Sequence, residues 1–140
     1  MKTIRPTGKN LLDDLVSIDT FMANEDPVPI PRAWCDAVSK VLRSGDRKFI
    51  DTTGQSDRDW EAAFPDDAWD YVRFGAMATA LEKTDVIGKH IRRMEEPGET
   101  YAFWFHHRAV QLYGKINLFP DGKIILIYSS HTPRKGKESL

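Results

Sequence analysis

Few residues in this chain are equipped for chemistry, and most of those fall near its C-terminal end. His131 follows Ser129 and Ser130. Tyr113 and Lys115 lie one strand earlier, and Arg134, Lys135 and Lys137 come just after. A histidine can take or give a proton near neutral pH. Lysine and arginine stabilise charge developing on a phosphate. An aromatic ring can orient a phosphate or stack on a base. Together these groups suit cleavage of RNA by its own 2′-hydroxyl, a reaction that needs a base, an acid and cations but no metal. The expected roles are His131 as general acid or base, Lys115 and Arg134 as phosphate clamp, and Tyr113 as an orienting or stacking group. His107 is a further catalytic candidate. Arg108, Trp104, Lys135 and Ser129 are candidates for RNA binding.

Other chemistries lack their residues. The pair His106–His107 in "FHHR" points to opposite faces of a strand and cannot readily chelate one ion. There is no HExxH, CxxC, P-loop or GxSxG pattern. No metal and no cofactor are therefore expected. Cys35, the single cysteine, cannot form an internal disulfide and reads as a buried packing residue.

The hairpin "VQLYGKINLFPDGKIILIYSSH" is what must position the candidates. Pro120 and Asp121 suit the centre of a type I turn, with Gly122 as the left-handed residue after it. A three-residue loop pairs Phe119 with Lys123. Val110, Leu112, Gly114, Ile116 and Leu118 then share a core face with Ile124, Leu126 and Tyr128. The other face collects Tyr113, Lys115, Asn117, Ile125, Ile127, Ser129 and His131. Ser129 falls opposite Tyr113, His131 opposite Gln111, and Lys115 diagonal to Ser129. An exposed sheet face is often polar for solubility alone, and that plainer reading stands beside the functional one.

Ahead of the strands, spacing predicts helices. Leu11, Leu15, Ile18 and Met22 form one stripe over residues 9–22. Pro31 opens a second helix to Arg43, with Trp34, Val38, Val41 and Leu42 inward, and "SGD" ends it. Ser56 and Asp59 resemble a capping box for a third. "DDAWDYVRFGAMATALEK" is the clearest helix, with Trp69, Val72, Ala76 and Ala80 inward. Residues 84–95 read as its continuation after a kink. Residues 48–53 suggest a short strand. From Thr100 the period changes, and "YAFWFHHR", "VQLYGKINLF" and "KIILIYSSH" read as strands. Helices followed by an antiparallel meander of three to four strands make an α+β fold, expected as one domain over residues 1–140. It divides into an acidic helical front (1–99), a basic sheet (100–132) and an exposed basic tail (133–140).

The net charge of −1 hides this polarity. Residues 101–140 carry six Lys and Arg against two acids, a net +4, which leaves −5 on residues 1–100. A basic end suits an anionic partner. No apolar run approaches the ~20 residues of a membrane span. The N-terminus also lacks the apolar core of a signal peptide. A cytoplasmic protein with no membrane partner is expected.

Helices followed by a basic, aromatic meander with polar groups at one end, "YAFWFHHRAV…YSSHTPRKGKESL", resemble the barnase/colicin/RelE-type superfamily of small ribonuclease toxins. The likeness is architectural, covers about the last forty residues, and rests on no invariant motif. It implies metal-independent cleavage of cytoplasmic RNA and a neutralising antitoxin. RelE-type toxins are usually basic and shorter, so the acidic front departs from the pattern. The competing expectation is a non-enzymatic protein–protein interaction or inhibitory module of a mobile element, using Tyr101, Phe103, Trp104 and Phe105 or the sheet edge. Of the four tryptophans, Trp34, Trp60 and Trp69 are expected in the core and Trp104 on the surface.

Overall fold

A computed structural model describes residues 27–133. The helix expected over residues 9–22 lies outside them, as do Arg134 and Lys135. The described chain runs β1 (Val28–Pro29), α1 (Arg32–Ser44), β2 (Ile50–Thr52), α2 (Gly54–Ala63), a 3₁₀ turn (Pro65–Asp67) and α3 (Asp70–Leu81). Then come β3 (Ile87–Ile91), β4 (Glu99–His107), β5 (Val110–Leu118) and β6 (Ile125–His131). The fold is α+β, as the order of periodicities implies. Its sheet is larger than the meander alone: six strands in the order β1-β3-β4-β5-β6-β2, antiparallel except where β2 runs parallel to β6.

All three helices bury apolar residues against one face of this sheet. Trp34, Val38 and Leu42 of α1, Trp60 of α2, and Phe74, Met77 and Leu81 of α3 meet Tyr101, Phe103, Phe105, Leu112, Ile116, Ile125 and Ile127. Cys35 lies in this core, where burial raises its thiol. The expected α1 holds: Pro31 flanks its start, and Gly45, left-handed at φ 63°, closes it with its N–H on the Leu42 carbonyl. Helix α2 begins earlier than the Ser56–Asp59 box suggests. Thr53 is its cap and accepts from the Ser56 N–H, while the buried Ser56 hydroxyl bonds the Thr53 and Ile127 carbonyls. That hydroxyl joins the helix to the sheet.

Three expectations are corrected. Residues 87–91 form β3, not a helix: antiparallel pairing with β4 and burial of Gly88, Lys89 and Ile91 outweigh their weak helical spacing. Trp69 is 62 % exposed, because it precedes the first turn of α3 and the inward stripe is Phe74, Met77, Ala78 and Leu81. The third is the β5–β6 register, which decides where the candidate residues lie.

Candidate functional site

The turn after Phe119 contains the expected Pro120–Asp121 centre and left-handed Gly122, but it takes one more residue. The Asp121 carboxylate accepts from the N–H groups of Lys123 and Ile124, and Phe119 pairs with Ile124 rather than Lys123. This one-residue slip turns Ile125 and Ile127 into the core opposite Leu118 and Ile116, and turns Leu126 away. A second irregularity follows between Lys115 and Ile116, where β6 has an extra residue at Tyr128. Beyond it Lys115 faces Ser129, Gly114 faces Ser130, and Tyr113 faces His131. Two one-residue slips restore the original parity. The expected group of Tyr113, Lys115, Ser129 and His131 is therefore assembled on one face, with different partners from those expected. Tyr128 does not join the core face.

These residues lie on the side of the sheet opposite α1–α3. Three rows cross it. Lys89, Ala102, Lys115 and Ser129 are successive partners across β3, β4, β5 and β6. Trp104, Tyr113 and His131 form the row on one side, and Ile91, Thr100, Asn117 and Leu126 the row on the other. The His131 ring stacks on Tyr113, centroids 5.4 Å apart, and Trp104 meets Tyr113 edge-on at 5.9 Å. The Lys115 Nζ lies 5.7 Å from the Tyr128 ring. At 2.7 Å from the Thr132 carbonyl, His131 Nδ1 carries the proton in the neutral ring, which makes Nε2 the acceptor. The connection 92–98 crosses this face beside Asn117. Asn117 donates to the Pro97 carbonyl at 3.0 Å and accepts from Thr100 at 2.9 Å.

The face is not the open platform that a Lys, Tyr and Ser on a sheet suggest. Tyr113 is 2 % exposed, Lys89 4 %, His131 5 %, and Lys115 and Ser129 7 % each. Trp104 is half-buried, not exposed. Burial also raises the Tyr128 phenol, with Glu96 and Glu95 nearby adding to the effect.

The remaining candidates stand elsewhere. His107 lies on the helix side, between the rings of Trp60 and Phe64, with Nε2 2.9 Å from Asp67. Arg108 bonds the same carboxylate oxygen. Asp67, its backbone carbonyl held by the Trp60 indole, is held at about 2 against an ordinary 3.8 by Arg108 first and His107 second. Neither His107 nor Arg108 joins the His131 group. His106 points to the other face from His107 and is exposed, as strand alternation requires.

Sequence reasoning passed over two residues. Lys89 was hidden by the helical reading of residues 84–95. Arg73 was hidden in the apolar run of α3. It is 3 % exposed and bonds the Ser56 carbonyl, the Ser130 hydroxyl and Asp57, tying α2, α3 and β6 together behind His131. A buried arginine among core positions leaves no sequence signal apart from the acids that pair with it.

Among the described residues, no helix is long and apolar enough to cross a membrane. Nor do any three His, Cys, Asp or Glu side chains lie together as a metal site there. No protein-family model, curated protein or solved structure significantly matches the chain.

Proposed function

We propose that this protein binds RNA on the face carrying Tyr113, Lys115, Ser129 and His131 and cleaves it without a metal. The observation that supports this reading is the adjacency of two rungs of the β5–β6 ladder, Tyr113 with His131 and Lys115 with Ser129. A base held by an aromatic ring thus sits one rung from a cation. In the reaction the RNA 2′-oxygen attacks phosphorus, forming the cyclic phosphate and breaking the bond to the 5′-oxygen. His131 Nε2 takes the 2′-hydroxyl proton, and the imidazolium returns a proton to the leaving oxygen. Lys115 stabilises the charge on the phosphate. Tyr113 has its ring stacked on His131 and so holds the imidazole instead of a base. Trp104 is the stacking candidate. At 2–7 % exposure these side chains must become uncovered before RNA reaches them.

The test is RNA cleavage in EDTA by the protein and by its His131→Gln variant. General acid–base catalysis contributes about 10²- to 10⁴-fold, so the variant is expected to be at least ~100-fold slower. Equal rates overturn the assignment. So does a lack of cleavage both by the protein and by a variant in which its N-terminal acids are neutralised.

A second reading has its own observation. Trp69 and Tyr71, 62 % and 74 % exposed, border a shallow depression with Gly45, Ala68 and Asp70. Exposed aromatics of this kind are interface anchors, which favours the alternative of a protein-binding module.

A further inference from the structure

The two lysines of the second face lie in one row, on β3 and β5, with Ala102 of β4 between them. Two strand spacings put their backbones roughly 10 Å apart. The small alanine leaves a shallow seat, and Ile91, Tyr113, Met94 and Trp104 supply apolar surface around it. Lysines exposed by only 4 % and 7 % call for anionic partners, since an ammonium taken from water without one is costly. The seat therefore fits an apolar stripe with a carboxylate on either flank.

Residues 10–26 of this chain have that pattern. They contain Asp13, Asp14, Asp19, Glu25 and Asp26 and no lysine or arginine. At about 100° per residue, Leu11, Leu15, Ile18 and Met22 share one stripe, and Asp14 and Asp19 fall about 70° to either side of its centre. Asp13 falls on the opposite side. Distance permits the match as well. The described chain starts at Pro27 and enters β1, which pairs with β3 at the edge of the sheet. A few extended residues at ~3.3 Å each turn that edge and reach β4, and thirteen helical residues span about 20 Å, enough to lie along β4 over all three rows.

We propose that the second face is the docking surface for residues 10–22 of the same chain, with Asp14 and Asp19 engaging Lys89 and Lys115. In relation to the function proposed above, this segment occupies the RNA site and competes with RNA for it. The docking itself does not depend on RNA.

The test uses the full chain and no RNA. A zero-length carbodiimide is used to couple carboxylates to lysines, and the linked peptides are mapped by mass spectrometry. Intramolecular links from Asp14 or Asp19 to Lys89 or Lys115 are expected. In parallel, reductive methylation of Lys89 and Lys115 is expected to quicken several-fold in the Asp14→Asn/Asp19→Asn variant and to stay unchanged in Asp13→Asn. Links that join two molecules, links from Glu95, Glu96 or Glu138 alone, or equal methylation in all three proteins overturn the proposal. If the links form and RNA is never cleaved, the docking stands and the ribonuclease reading fails.

Discussion

Asp67 shows how a residue suited to catalysis can be committed to structure. His107 sits in a ring cage of Trp60 and Phe64, and its Nε2 and the Arg108 guanidinium converge on one carboxylate oxygen. Because the folded state depresses the Asp67 pKa to about 2, the carboxylate favours folding at every pH above its ordinary value of 3.8. As pH falls from about 4 towards 2, the unfolded chain takes up this proton first and the contribution is lost. Urea midpoints measured from pH 6 to pH 2 are expected to fall in that window. In Asp67→Asn the protein should be weaker at neutral pH, with the gap to the parent closing as pH falls. Parallel curves would show that the carboxylate charge is not what joins the 3₁₀ turn to β4. Sequence alone did not distinguish His107 from His131. Alternation placed His107 on a face, but the partner that claims it is forty residues away. His131 and Tyr113 were legible because both lie on one hairpin, where pairing is local.

At the scale of elements, turns decide which side chains meet. The β5–β6 connection lengthens by one residue because the Asp121 carboxylate takes two backbone N–H groups, and a bulge at Tyr128 reverses the slip. The turn type was readable from Pro-Asp-Gly. The bulge was not, since "LIYSS" contains no glycine or proline to mark it. The β4–β5 connection is harder still to foresee. It is the two-residue turn Arg108–Ala109 with both φ values positive, at 51° and 63°, where Asn-Gly is the usual choice. Arg108 keeps this conformation while its guanidinium binds Asp67, whereas the methyl group of Ala109 makes no such contact. The left-handed region costs a non-glycine residue about 1–2 kcal/mol, partly offset by the greater freedom of glycine in the unfolded chain. Ala109→Gly is therefore expected to stabilise the protein by about 1 kcal/mol in urea titrations. A loss of stability would mean that the turn is not held left-handed in solution. The helices show the complementary case: α1 was legible because its apolar spacing and its Gly45 stop agree, and β3 was misread because its partner strand lies outside the local pattern.

At the scale of the whole molecule, the sheet has two unlike faces. The helix side is mainly apolar, with Trp60 2 % exposed and Phe103, Phe105 and Ile116 fully enclosed, and it also buries Arg73. The other side buries two lysines, a histidine and a serine at similar depth. Burial of this kind contributes little to stability, because desolvating a charge offsets most of what its partner returns. On the proposed function, such a face serves binding and not stability. The two faces should therefore respond in opposite ways to substitution. Trp60→Ala removes a large core side chain and is expected to cost about 4 kcal/mol with no specific effect on ligand binding by the remaining folded protein. Lys115→Met fills nearly the same room with an apolar chain and, with its proposed aspartate partner able to return to water, is expected to change stability by less than about 1 kcal/mol. If the proposed function holds, the same change should weaken RNA binding at least tenfold, because the cation assigned to the phosphate is lost. Paired urea titrations and RNA-binding isotherms separate the two effects. A Lys115→Met variant that loses several kcal/mol would identify the second face as part of the folding core. If both stability and RNA binding are unchanged, the row from Lys89 to Ser129 is not where an anionic polymer binds.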